Sequence, residues 1–165
     1  LGLSREQVTC LDVGEESCGE RADGDVTFKT FDGQKLPLPT SSVDLMSVVH
    51  VLHHVEPGGS SMFQLLQEVN RVLKPAGVVI VKDHDSPNDE CDLYLEVVHS
   101  LKQLVFYAKK PQTMPLGSYQ SIDGWRATFR GVGLPVIHVA ETGDLYNSAI
   151  MVLQKKADGE EDENV

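Results

Sequence analysis

The sequence lacks any apolar run that approaches the length of a membrane-spanning helix. Its valine-rich segments, Val48–Val49 and Val78–Val81, are interrupted by polar residues within a few positions. The first residues, LGLSREQ, resemble neither a basic leader nor the apolar segment of a signal peptide. We therefore expect no membrane partner. Leu1 is an unusual first residue, and we expect a trimmed or processed chain.

Cysteine is scarce and odd in number. Cys10, Cys18 and Cys91 are widely spaced, and the first two lie eight positions apart, which does not fit a zinc knuckle. No disulfide framework is indicated. We expect reduced thiols and an intracellular, cytoplasmic protein.

Basic residues are outnumbered, with 14 Lys and Arg against 25 Asp and Glu and a net charge of −11. This balance argues against a broad phosphate-binding surface, although Lys102, Lys109 and Lys110 could form a local basic stripe. Five of the acids lie in the final segment, DGEEDENV. We predict that residues 158–165 form a disordered acidic tail after a domain that spans residues 1–157.

The apolar residues that are present alternate between the patterns of strands and helices. The predicted order is strand, strand, strand, helix, strand, helix, helix, strand, strand. Pro75 should end the first helix, and Ser121 should cap the last one. The pattern predicts an α/β fold with a mostly parallel sheet and a C-terminal antiparallel hairpin. The predicted core comprises Leu11, Val26, Leu45, Val48, Leu66, Val69, Val72, Val79, Val81, Val97, Leu101, Ile150 and Val152.

Polar side chains follow several of the predicted strands. Asp12, Asp32, the His50–His54 group and the Lys82–Asp85 segment all fall at carboxyl ends of strands. In open α/β sheets, ligands bind beyond those ends. We therefore expect a ligand site there, with Asp12 and Asp32 at the same edge, beside His50.

The segment from Phe31 to Asp85 resembles class I S-adenosylmethionine-dependent methyltransferases of the type-11 kind. The resemblance is carried by FDGQKLPLPTSSVDLMSVVHVLHHVEP and by RVLKPAGVVIVKDHD. Leu38 and Val43 stand where the family has phenylalanine, and Ala76 replaces the first glycine of its Lys-Pro-Gly-Gly motif. The remainder of the chain fits the family more loosely.

The resemblance implies a Rossmann-like fold and S-adenosylmethionine as cofactor. Asp12 matches the acid that binds the ribose, and Asp32 matches the acid near the adenine. Gly33 would let the backbone approach the base, and Val49 and His50 would line the pocket. The alternative for Asp32 is an ordinary Asp-Gly turn.

The family's first strand and glycine-rich loop are not recognisable, and no G-x-G-x-x-G occurs. We interpret CLDV as the family's second strand and expect an N-terminally incomplete fold. A partner chain supplies the central strand, or it lies outside these residues, or the fold is rebuilt without it. The opposing interpretation makes LDVGEESCG a degenerate cofactor loop.

Three residues are candidates for catalysis. His50 or His53 could serve as a base near its natural pKa. Lys82 falls where FtsJ-like ribose 2′-O-methyltransferases keep a lysine, but Val49 and Asn147 stand where those enzymes keep acids. We expect no metal site, because the histidines of VLHH directly follow a strand.

Two function classes remain open. The first is a methyltransferase domain with an unknown acceptor, which could be a small molecule, a protein or RNA; an RNA ribose 2′-O-methyltransferase is its minority form. The second is a non-catalytic methyltransferase-like module that binds partners. Acceptor-pocket candidates, for which we favour simple packing, are Tyr94, His99, Tyr107, Tyr119 and Trp125.

Overall fold

Strands and helices alternate in the predicted order. The computed structural model describes residues 7–13, 26–55, 60–106, 118–157 and 159. Its strands are β1 (Thr9–Asp12), β2 (Thr27–Thr30), β3 (Val43–Val49), β4 (Leu73–His84), β5 (Val136–Glu141) and β6 (Ser148–Gln154). Its helices are α1 (Ser60–Val72), α2 (Asp89–Phe106) and α3 (Ile122–Arg130), and a short 3-10 turn spans Leu52–His54. Ser121 caps α3 as predicted, since its hydroxyl accepts a hydrogen bond from the Gly124 amide.

The strands form two sheets. Strands β1 and β2 pair in parallel. The other sheet has the order β3-β4-β6-β5, in which β3 is parallel to β4 and β6 runs antiparallel to both β4 and β5. The predicted α/β class, with parallel strands and a C-terminal antiparallel hairpin, is confirmed.

No strand pairing joins the smaller sheet to the larger one among the described residues. Within that part of the chain, β1 and β3 each pair along one edge only. Leu11 of β1 and Phe31, just after β2, nevertheless pack against the core of the larger sheet. The absence of a central strand stays a prediction.

One face of the larger sheet is buried beneath α1 and α3. The core joins Val79 and Val81 of β4 with Met151 and Leu153 of β6. The helices contribute Met62, Leu65, Leu66, Val69, Val72, Trp125 and Phe129. Five predicted core residues, Leu66, Val69, Val72, Val79 and Val81, are buried, and Leu11 and Val48 pack against the core.

For the other predicted core residues, the prediction of burial is wrong. Leu45, Val97 and Leu101 are about half exposed. Side chains alternate between the faces of a strand, and Leu45 lies on the face of β3 opposite to Met46 and Val48, which pack against the core. Val26, Ile150 and Val152 are only partly buried. Apolar character alone did not distinguish the two faces.

Arg71 of α1 binds the Leu-Pro-Leu-Pro segment, residues 36–39. Its guanidinium donates to the carbonyl oxygens of Leu36 and Leu38 at 3.1 and 3.0 Å, and it pairs with Glu68. Glu68 in turn accepts the Leu36 amide at 2.9 Å. The pair thus satisfies backbone groups of a segment whose prolines prevent regular pairing.

The chain bends tightly in the irregular first part of β4, where the pairing with β3 shifts register. Helix α1 ends at Val72, three residues before Pro75. A Cβ at Gly77 would lie 2.8 Å from the Lys74 carbonyl oxygen, so glycine is required there. Ala76 adopts a left-handed backbone with φ of 60°, which strains any residue with a Cβ.

None of the helices in the described part of the chain is long and apolar enough to cross a membrane.

Ala76→Gly should stabilise the protein. Relief of the left-handed strain is worth about 1–2 kcal/mol, and the greater freedom of unfolded glycine offsets about 0.5–1 kcal/mol of it. We expect the melting temperature to rise by about 1–4 °C. Ala127→Gly, in the middle of α3, is the matched control and should lower the melting temperature. A decrease for Ala76→Gly in a thermal melt would contradict the strain at this turn.

Candidate functional site

The site begins directly after β3, at a residue with a left-handed backbone conformation. His50 has a φ of 52°, and its amide donates to the Lys82 carbonyl at 2.8 Å. The chain then turns through the 3-10 segment, which buries Leu52 and His53. Strain of this kind costs about 1–3 kcal/mol and is concentrated at functional sites.

Asp83 is the buried acceptor that organises this turn. Its carboxylate, which is 0% exposed, accepts from the Leu52 amide at 3.0 Å, from His53 Nδ1 at 2.7 Å and from the His84 amide at 2.9 Å. Burial alone would raise the pKa of Asp83, but the hydrogen bond and charge of His53 and the His84 amide outweigh it and lower the pKa. Asp83 is therefore held as a carboxylate.

Five of the six histidines of the chain meet around His53, and we call them the histidine cluster: His50, His53, His54, His84 and His99. The ring of His53 lies 3.9 Å from that of His54, 4.5 Å from that of His84 and 5.0 Å from that of His99. The cluster joins the turn after β3, the end of β4 and the middle of α2.

Burial favours the neutral form of four of these rings, those of His50, His54, His84 and His99. It lowers the pKa of His54 and of His84 to about 4, and neighbouring His53 lowers both further. It also lowers the pKa values of His50 and His99. Neutral imidazoles can accept protons or bind metal ions, so the cluster suits general-base or metal chemistry.

Two aromatic candidates contact the cluster. The Tyr119 hydroxyl lies 3.1 Å from His99 Nδ1, and burial raises the pKa of Tyr119 to about 12. Trp125 is fully buried and donates to the His84 carbonyl, so it packs in the core. Tyr94 binds the Leu145 carbonyl. Tyr107 lies outside the described residues.

Lys82 faces away from Asp83. Its ammonium pairs with Asp144 at 3.0 Å, in the β5–β6 connection. Burial alone would raise the pKa of Asp144, but hydrogen bonds from Lys82, Thr142 and Ser148 hold it well below its usual range. Lys82 does not pair with the adjacent Asp83, because neighbouring side chains on a strand point to opposite faces. Asp85 instead accepts the Ile122 amide.

The candidate cofactor residues lie at the carboxyl ends of β1 and β2 and beyond β3. Asp12 is the last residue of β1, and Val49, the last of β3, is 52% exposed. Asp32 forms a turn, since its Oδ1 accepts the amides of Gln34 and Lys35 at 2.9 and 2.7 Å, and these bonds lower its pKa. Gly33 uses a φ of 80° in this turn. Their roles toward a cofactor stay predictions.

A wide-open groove of about 580 Å³ lies beside the Asp32 turn. It is lined by Gln34, Lys35, Gln64, Gln67, Glu68 and Arg71. Glu68 and Arg71 already serve the Leu-Pro-Leu-Pro segment, and none of the lining residues belongs to the histidine cluster.

Comparison with known proteins indicates a family. Residues 1–81 match the family model described as a methyltransferase domain. Over this segment the chain is similar to methyltransferases. It is also 31% identical over 93 residues to the uncharacterised protein YafE of Escherichia coli. That match covers 56% of this chain and 43% of YafE, so the chain spans less than half of this curated relative.

Solved structures support the fold. A possible histamine N-methyltransferase from Thermotoga maritima is similar with a TM-score of 0.67 at 17% identity, over 90% of this chain and 73% of that one. A methyltransferase of Haloferax volcanii, in complex with the Trm112 methyltransferase activator, is similar with a TM-score of 0.65 at 18% identity. That match covers 90% of the present chain and 71% of the Haloferax chain.

The sequence did not predict that these histidines meet. In the sequence, Asp83 and His84 belong to a polar strand end, and His99 is a separate candidate for the acceptor pocket. The expectation of no metal site rested on the spacing within residues 50–54. That spacing carried no information about rings arriving from β4 and α2.

The histidine cluster should make stability fall in mild acid. Between about pH 6.5 and pH 4 the unfolded chain binds protons at His54 and His84 that the folded chain excludes. The free energy of unfolding should therefore decrease as the pH is lowered through this window. Thermal melts at pH 7 and pH 5, in the presence of a chelator, measure the loss.

His84→Asn keeps a donor for the Tyr146 carbonyl and removes one titrating ring. It should reduce the loss of melting temperature between pH 7 and pH 5 by several degrees. His138→Asn, at an exposed position of β5, should leave the loss unchanged. Equal losses in both variants would show that His84 is not the responsible group.

Proposed function

We propose that this domain transfers methyl groups from S-adenosylmethionine to an acceptor that is still to be identified. The observation that carries the proposal is the placement of Asp12 and of the Asp32 turn at the carboxyl ends of one sheet, in a chain that is similar to methyltransferases over residues 1–81. His50 follows the end of a parallel strand of the other sheet. The free cysteines Cys10 and Cys91 favour an intracellular location.

The described residues fit the adenosine part of the cofactor. Asp12 would bind the ribose hydroxyls. Asp32 would accept from the adenine amine through Oδ2, because the turn uses Oδ1. A Cβ at Gly33 would meet only the Val13 side chain within 4 Å, which leaves room for a base. When bound, the cofactor supplies a methyl group on a sulfonium leaving group, and alignment is the protein's main task.

His50 is the better placed of the two candidate bases. It is half-buried, whereas His53 is 1% exposed and holds Asp83. Its lowered pKa keeps it able to accept a proton from the acceptor at neutral pH. Lys82, paired with Asp144, would place a positive charge at the same edge of the sheet.

A central strand would complete the domain. We propose that a parallel strand enters between β1 and β3, from the same polypeptide or from a partner chain. Both strands keep an edge without pairing among the described residues, and Leu45 and Val49 of β3 are half exposed. The Haloferax neighbour, which is bound to an activator protein, illustrates that a methyltransferase of this fold can depend on a second chain.

Cofactor binding tests the proposal. In the longest natural form of the protein, Asp12→Ala should weaken S-adenosylhomocysteine binding by about ten- to a hundredfold, because charge-assisted hydrogen bonds are worth about 1.5–3 kcal/mol. Isothermal titration calorimetry gives the affinities. Asp44→Ala is the matched control, since this exposed aspartate of β3 pairs only with Lys74.

Residues 1–165 alone should bind S-adenosylhomocysteine weakly, and addition of the missing strand should restore micromolar affinity. Micromolar binding by the isolated monomer would favour LDVGEESCG as the cofactor loop. No binding in any form would favour the non-catalytic module.

A further inference from the structure

The histidine cluster contains a set of nitrogens that the proposed methyl transfer does not use. His53, His54 and His99 each offer one ligand atom, and the three atoms lie within 4.8 Å of one another. A second overlapping group includes His50, Asp83 and His84 with His53. In that group the Asp83 carboxylate already accepts from His53 Nδ1 and from the Leu52 and His84 amides, so it is less free to bind an ion.

Hydrogen bonds fix the tautomers of two members. His53 Nδ1 lies 2.7 Å from the Asp83 carboxylate, which can only accept. His99 Nδ1 lies 2.9 Å from the Leu95 carbonyl, which also can only accept. Both Nδ1 atoms therefore carry a proton, so Nε2 is the nitrogen through which each ring can bind an ion.

Two ring nitrogens in this set are buried without a hydrogen-bond partner in the described part of the chain. His53 Nε2 and His54 Nδ1 find no hydrogen bond among the described residues, and the His53 side chain is 1% exposed. Buried polar atoms are almost always satisfied, so an orphaned nitrogen requires a ligand such as water or an ion. Two adjacent orphans in a set of three nitrogens favour an ion.

We propose that His53 Nε2, His54 Nδ1 and His99 Nε2 bind a divalent transition metal of the zinc class. Imidazole nitrogens suit zinc and its neighbours, and they suit magnesium and calcium poorly. Metal-binding histidines characteristically donate their other nitrogen to a carboxylate or a carbonyl, as His53 does to Asp83 and His99 does to Leu95.

Three protein nitrogens leave a fourth position for water or substrate, as in catalytic rather than structural zinc sites. The site lies beside the proposed base, since the rings of His50 and His53 are 6.2 Å apart. It does not depend on methyl transfer.

Metal binding by the chain itself tests the site. After treatment with a chelator and its removal, the wild type should bind one equivalent of Zn²⁺, and Co²⁺ should give the visible absorption of a four-coordinate site. Mg²⁺ should not compete. His54→Asn and His99→Asn should each weaken Zn²⁺ binding at least tenfold. Both residues are half-buried, and far-UV circular dichroism checks that the variants fold.

Two controls distinguish this triad from its surroundings. His84→Asn, within the histidine cluster but outside the triad, should retain binding, as should His138→Asn outside the cluster. Loss of binding in His84→Asn with retention in His99→Asn would place the metal in the other group and overturn the assignment. Binding of less than a molar equivalent by the wild type, or equal affinity in all variants, would overturn the site altogether.

Discussion

The buried carboxylate of Asp83 is the interaction on which the site depends. It accepts two backbone amides and one imidazole, and these groups come from β4 and from the turn that follows β3. A buried charge without such partners would cost several kcal/mol. Because its three donors are fixed, Asp83 fixes the path of the chain after His50 and the orientation of the His53 ring. The histidines on either side then have little freedom to separate.

The same constraint links the two proposals. Asp83 engages His53 through Nδ1 and leaves Nε2 available, and burial keeps the surrounding rings of His50, His54, His84 and His99 neutral, so this end of the sheet carries several lone pairs at neutral pH. His50, at the more open side, is suited to take a proton from a methyl acceptor. His53, His54 and His99, further from the strand end, are suited to hold a metal. Neither role requires the other, and their experiments have separate readouts.

The division of the sheet bears on cofactor binding. Asp12 and Asp32 belong to a two-stranded sheet that is attached to the rest by packing of Leu11 and Phe31 and not by backbone pairing among the described residues. A strand between β1 and β3 would replace these contacts with two ladders of hydrogen bonds and set the distance between the acids and His50.

The sequence by itself determined the order of elements, the α/β class and the strand ends that carry polar residues, because hydrophobic periodicity and caps such as Ser121 act locally. It also carried the family resemblance in the segment from Phe31 to Asp85. Only the tertiary structure decided which face of β3 is buried, that Lys82 pairs with Asp144, and that His84 and His99 join His53. Those contacts link residues 30 or more positions apart in most cases, and no local pattern encodes which distant side chains will meet.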